Sequence, residues 1–182
     1  MPELASVPQG VILALQALIL FAALQDAAQL RISNLLSVAI VACFGAWLIV
    51  VGPDWSVWQN VVAFIVALAI GVLLFGRGLL GGGDVKLLAA LALWFDLGGA
   101  LAFAIYTAIA GGILALALMG VRRMLPAGMT SDEGWLLLRR RGPIPYGLAI
   151  ASGALLAIQL HGVNPLPLSA LQRLNEFMPM PG

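Results

Sequence analysis

Two aspartates carry the first chemical signal in this sequence. Asp26 closes the apolar run "ALILFAALQD", and Asp84 follows the glycines of "FGRGLLGGGDVKLLAALALW". An ionisable group at membrane depth costs at least about 2.5 kcal/mol on insertion scales, so it marks a functional site or holds a partner. Two neighbouring carboxyls resist double ionisation and share one proton, leaving the pair singly charged near neutral pH. One carboxylate then takes a proton from an attacking water while its protonated partner polarises a peptide carbonyl. Such a pair hydrolyses an amide with neither a metal nor a nucleophilic side chain. The plainer alternative is that each Asp marks a helix end at the membrane surface.

Gly81, Gly82 and Gly83 remove side chains just ahead of Asp84. An extended substrate backbone can therefore approach the carboxylate closely, and the start of the following helix is loosened. Such backbone is expected to line a wet cavity, since it is unfavourable against lipid. A plain flexible loop is the other reading. Lys86 lies two positions beyond Asp84, a helical spacing that does not bring two side chains together. Snorkelling of its ammonium to the interface is its expected role.

Composition sets the elements that must hold these residues. Of 182 residues, 62% are hydrophobic and 9% charged, against roughly 45–50% and about 25% in soluble domains. The chain reads as all-α, a polytopic integral membrane protein. At about 20 residues per helical crossing it has room for about six crossings and no separate soluble domain. Residues 1–182 are therefore expected to form one membrane-embedded domain. Apolar runs place the spans at 8–25, 35–51, 57–75, 85–99, 100–121 and 144–161.

Charge orients them. The link after the first span holds Arg31, that after the third Arg77 and Lys86, and that after the fifth Arg122, Arg123, Arg139, Arg140 and Arg141. These are eight of the nine basic residues. If all six segments cross, the three links share one face, cytoplasmic by the positive-inside rule. The fourth segment is short and interrupted by Asp96, Gly98 and Gly99. Charge parity still favours its crossing, because otherwise the arginine-rich link would face outward. Both termini then lie outside, and both aspartates come to the inner face.

The remaining residues limit other functions. Glu3, Asp54, Asp96 and Glu176 fall on the outer side as solvated acids, while Asp132 and Glu133 sit in the long inner link. No basic surface suits nucleic acid. The lone Cys43 excludes an intrachain disulfide and a cysteine zinc site, and no metal or other cofactor is expected. His161, the only histidine, reads as packing at the outer interface. The start "MPELASVPQG" carries no basic residue ahead of its apolar run, which argues for a retained first helix. The tail, 162–182, reads as an amphipathic interfacial piece.

Four stretches resemble the type IV prepilin peptidases, polytopic GxGD aspartic proteases. "GGGDVKL" matches their GxGD motif, with Gly81 and Gly83 as its glycines, and "KLLAALALW" continues it to Trp94. "DAAQLRISN" resembles their first-aspartate segment through Asp26, Arg31, Ile32 and Asn34. "IPYGLAIASGAL" resembles their last helix, which Pro145, Tyr146 and Gly147 open. The likeness covers about residues 20 to 155. Ser33 stands where the family often has Pro, which softens the expected bend. Longer members carry a zinc-binding CxxC domain that accompanies N-methylation, and its absence here likens the chain to the peptidase-only branch of tight-adherence (Flp-type) pili.

The resemblance implies a leader peptidase of the bacterial inner membrane that acts at its cytoplasmic face. Asp26 and Asp84 would be catalytic, Tyr146 would line the cleft, and the partners would be membrane lipid and a prepilin or pseudopilin. Such a substrate has a short basic leader followed by an apolar helix. Two rival readings stand beside it. One is a small proton-coupled transporter subunit, for which the first span offers only Gln16 and Gln25 and no mid-depth acid. The other is a non-catalytic assembly factor of a pilus or secretion apparatus.

Overall fold

A computed structural model describes residues 9–51, 55–125 and 144–163. They form six helices and, among the described residues, no strand: α1 Gln9–Gln29, α2 Asn34–Val51, α3 Val57–Gly76, α4 Gly82–Ala92, α5 Leu97–Met124 and α6 Tyr146–His161. Helices are what such a sequence must form, because backbone surrounded by hydrocarbon has to satisfy its polar groups internally. Expectations for Glu3, Asp54, Asp132, Glu133, Arg139, Arg140, Arg141 and Glu176 fall outside the described residues, as does nearly all of the tail.

Helices α1, α3 and α5 are long and apolar enough to cross a membrane, and α2 and α6 are shorter apolar helices. Leu13, Leu24, Ile65, Ile113 and Leu116 each expose more than half of their surface. A continuous apolar exterior of this kind needs lipid around it. The chain is a membrane protein.

The fourth segment differs from the expected span of 85–99. Helix α4 has 11 residues, and at 1.5 Å per residue that is about 16 Å, roughly half the hydrocarbon thickness. The Trp94 and Phe95 N–H groups bond only three residues back, to the Leu91 and Ala92 carbonyls, which tightens and ends the helix. Asp96 then caps α5 by accepting the Gly99 N–H at 2.7 Å. It is a half-buried helix cap, not the solvated loop acid expected, because two helices abut there without an intervening loop.

Helix α4 lies inside the bundle, against α2, α3 and α6. Val85, Leu87, Ala89, Ala90, Leu91 and Ala92 are all buried. Its far end is pinned by two buried hydrogen bonds, Asn60 Nδ2 to the Leu93 carbonyl at 2.9 Å and Trp94 Nε1 to the Ile40 carbonyl at 3.3 Å. Small residues set the helix spacings. A Cβ on Gly71 would lie 2.8 Å from Val85 Cγ1, and one on Gly153 would overlap the Thr107 backbone. This is how helices approach closely where lipid removes the hydrophobic drive between them. His161 ends α6 with its ring edge-on to Tyr106 at 5.8 Å, in line with a packing role.

Candidate active site

Asp26 belongs to the buried stripe of α1, with Leu15, Ile19, Ala22 and Ala23. That spacing turns the carboxyl into the bundle. The chain then reverses within four residues. Leu30 donates its N–H to the Asp26 carbonyl at 2.8 Å and takes the left-handed conformation, φ 51°. Glycine usually fills such a cap, and for another residue the conformation costs about 1–2 kcal/mol. Two side chains hold the turn: Gln25 Oε1 accepts the Ser33 N–H at 3.0 Å, and Ser33 Oγ accepts the Leu35 N–H at 3.2 Å. Ser33 therefore caps α2 and fixes the bend it was expected to soften.

Asp84 sits in the first turn of α4 and accepts the Gly81 N–H at 3.1 Å. Gly81 is the extended N-cap, while Gly82 and Gly83 are already helical. The glycines thus form no loose loop, because Asp84 satisfies the exposed donor of its own helix start. Gly81 borders the carboxylate cavity, as expected, whereas the other two do not. A Cβ on Gly83 would lie 3.2 Å from the Ile32 carbonyl oxygen, so its bareness serves the packing of the α1–α2 turn on α4, not substrate approach. Gly82 would meet only Phe75, at 3.7 Å.

The third element is the start of α6. Pro145 is its buried N-cap and Tyr146 its first residue. Leu148 donates its N–H to Asp26 Oδ2 at 3.2 Å and shares it with the Pro145 carbonyl, also at 3.2 Å, so the carboxyl sits at the positive end of a helix. Gly147 makes this approach feasible, since a Cβ there would lie 2.8 Å from both Asp26 Cγ and Oδ2. Ile32 is wedged between Gly83 and Gly147 and sets both aspartate-bearing elements against α6.

Asp26, Gly81, Asp84 and Tyr146 line one cavity of about 470 Å³, with Leu30, Leu79, Leu80 and Ile144 among its other walls. That volume suits a segment of peptide. Burial pushes the Asp84 carboxyl up to about 6, the Asp26 charge adds to the rise, and the Gly81 N–H offsets part of it. The cavity therefore offers a carboxyl that holds a proton into the mildly acidic range beside a second carboxyl.

The other expected site residues lie off the cavity wall. Pro145, Gly147 and Gly83 shape the elements behind it, and Arg31 is exposed in the α1–α2 turn. Lys86 is exposed and donates Nζ to Asn34 Oδ1 at 2.9 Å, tying the start of α2 to α4. The ammonium is thus tied to Asn34, where snorkelling or a part in the site was expected. Gln25, Ile32 and the Leu148 N–H have structural roles at the site beyond those read from sequence. The neighbours of Asp26 in the chain hinted at the first two, and nothing in side-chain chemistry signals a backbone donor.

A polytopic helical membrane protein with two carboxyls from separate segments on one cavity is the class that this fold and site define. The sequence model of the type IV leader peptidase family matches residues 13–116, over half of the chain and both aspartate segments. The chain belongs to that family of proteases. Comparison with curated proteins and with solved structures gives no match. Helix α6, which supplies the Leu148 donor, lies beyond the matched residues.

Proposed function

We propose that the protein is a prepilin leader peptidase, an aspartic endopeptidase that removes the short basic leader of Flp-type prepilins or pseudopilins at the cytoplasmic face of the inner membrane. The observation that carries this reading is the meeting of Asp26 and Asp84 on one cavity wall although 57 residues separate them in sequence. The positions of the cations support the orientation. Arg31 and Arg77 follow the C-terminal ends of α1 and α3, and Arg122 and Arg123 occupy the last turn of α5. In the six-crossing topology these ends share the inner face, and both termini lie outside.

In the reaction, Asp84 carries the proton of the pair and donates a hydrogen bond to the scissile carbonyl oxygen. Asp26 takes a proton from water as the water oxygen bonds to the carbonyl carbon. The carbon–nitrogen bond then breaks, and a proton passes to the departing amine from the pair, which returns to its starting state. The Leu148 N–H holds the Asp26 carboxyl in place throughout, and the Gly81 N–H does the same for Asp84.

The test is cleavage of a Flp-type prepilin by the purified protein in detergent. Asp26→Asn and Asp84→Asn are each expected to abolish cleavage while still inserting into membranes. Cleavage that survives either change removes that carboxyl from the mechanism, and inhibition by a chelator points to metal chemistry instead.

A further inference from the structure

The carboxylate cavity does not end at the aspartates. Leu79, Leu80 and Tyr146 belong to its wall and equally to that of a second cavity of about 530 Å³. Ile70, Leu88 and Ala104 belong in turn to that second cavity and to a third of about 250 Å³. These shared residues set the three cavities side by side, and taken together they make one trough. One side is α3 and the other α5, with Leu88 of α4 and, towards the aspartates, Ala149 and Ile150 of α6 as its floor.

Its length, chemistry and opening are those of a single occupant. Along α5 it runs from Leu97 to Ala115, and 18 residue steps at 1.5 Å are about 27 Å, close to the hydrocarbon thickness of about 30 Å. Among the described residues, the walls of the second and third cavities carry no charge, whereas Asp26 and Asp84 are the charged residues on the first. Val66, Ile70, Leu79 and Leu101 line the trough yet remain about half or more exposed, so it opens sideways towards lipid. Towards the aspartates the α5 side is lined mostly by small residues, Ala104, Ala108, Gly111, Gly112 and Ala115 beside Thr107, and a Cβ on Gly112 would meet nothing within 4 Å. A trough that is acidic at one end and apolar for a membrane thickness beyond complements a segment that is basic and then an apolar helix. Small residues let such a helix approach the α5 backbone closely.

We infer that this α3–α5 trough is the docking surface for the apolar helix of the substrate, which enters sideways from the bilayer and so sets its leader junction at the aspartates. The inference rests on the peptidase reading and adds where the part of the substrate beyond the cut is held. Recognition is then of an apolar helix by shape, with cleavage fixed by the distance from the trough to Asp26 and Asp84.

Disulfide trapping in membranes tests it with the full chain. The enzyme carries Cys43→Ala, Asp84→Asn to block cleavage, and Gly112→Cys, and single cysteines are placed along the apolar helix of a Flp-type prepilin. Adducts are expected at every third or fourth prepilin position, and none from Ile113→Cys, because Ile113 lines a separate groove on another face of α5. In an otherwise unaltered enzyme, Gly112→Leu fills the trough and is expected to raise KM for the prepilin at least tenfold, with kcat and thermal stability nearly retained. Equal trapping from positions 112 and 113, disulfide dimers of this chain through position 112, or an unchanged KM would overturn the docking surface. The unaltered enzyme is assayed for prepilin cleavage in parallel. Cleavage without trapping sinks the trough alone, whereas absence of cleavage sinks the peptidase reading whatever the trapping shows.

Discussion

Leu148 donates its backbone N–H to Asp26 Oδ2 at 3.2 Å, which joins the last turns of α1 to the first turn of α6 across 122 residues of chain. The approach depends on the missing side chain of Gly147, where a Cβ would lie 2.8 Å from Asp26 Cγ and Oδ2 and 2.6 Å from Ile32 Cδ1. Ile32 can swing its terminal methyl aside, but the carboxyl must rotate off its donor. Gly147→Ala is therefore expected to lower kcat/KM on a prepilin by at least about tenfold, since small misplacements of reacting groups carry penalties of that order. Membrane insertion should persist. Wild-type kinetics in Gly147→Ala would mean that the Leu148 hydrogen bond does not position Asp26 for the reaction.

The Asp84 carboxyl, pushed up to about 6 by burial and the Asp26 charge, is expected to set the alkaline limb of activity. Below about 6 the pair keeps its proton, and above it the proton leaves and the carbonyl loses its donor. The log of kcat/KM should fall with unit slope above that midpoint, because kcat/KM reports the free enzyme. Removing the Asp26 charge should lower the Asp84 midpoint, which infrared titration of Asp26→Asn reads without any need for activity. A midpoint unmoved by Asp26→Asn would deny that the two carboxyls are electrostatically coupled.

The same shift governs stability, and its sign is opposite to that of a salt-bridged carboxylate. Asp84 rises from 3.8 to about 6 on folding, so the stability it contributes is full below 3.8 and is lost as pH rises through about 6. Folded protein binds more protons than unfolded protein in that window. Asp84→Asn keeps an oxygen for the Gly81 N–H but cannot ionise. In detergent it should melt close to wild type at pH 4 and above it at pH 8. A variant that melts lower than wild type at pH 8 would show that the ionised carboxyl is well accommodated.

Much of this arrangement was legible in the sequence for physical reasons. Apolar runs must become helices in lipid, so five of the six elements fell within a few residues of their expected bounds, and the two aspartates fell at helix ends because only there is ionisation tolerable. The fourth segment's bounds were the least legible because apolar length does not show whether a helix faces lipid or protein. Val85, Leu87 and Leu91 face protein on every side, whereas the equally apolar α3 is mostly exposed. Ser33, Asp96 and Gly83 gave weak signals because capping and close approach depend on partners distant in the chain or on backbone atoms. The Ile32 carbonyl beside Gly83 is one such partner.

The three glycines ahead of Asp84 should not respond alike to substitution. Gly82 is helical and a Cβ there would make an ordinary 3.7 Å contact with Phe75, so Gly82→Ala should be neutral or stabilising by up to about 0.5–1 kcal/mol through lower unfolded-state entropy. Gly83 is helical too, yet its Cβ would press on the Ile32 backbone at 3.2 Å. Gly83→Ala should destabilise by about 1–3 kcal/mol, the usual cost of overpacking. Thermal unfolding of the two variants under one condition checks the contrast. Equal tolerance would return the run to a flexible loop.

Lys86 stands two residues from Asp84 but points elsewhere, with Nζ on Asn34 Oδ1 at 2.9 Å. Neither group lines the carboxylate cavity, and the Asp84 shift arises from burial, Asp26 and Gly81 without a contribution from the ammonium. Lys86→Met should therefore keep kcat/KM within about threefold and leave the alkaline midpoint near 6. Its effect should appear in stability. Combined with Asn34→Ala in a double-mutant cycle, it should show a coupling of about 0.5–1 kcal/mol, as befits an exposed hydrogen bond to a charged group. A loss of activity accompanied by a midpoint shift of a full pH unit would instead make the ammonium an electrostatic partner of the aspartate pair, and the snorkelling and tethering roles would both have to be given up.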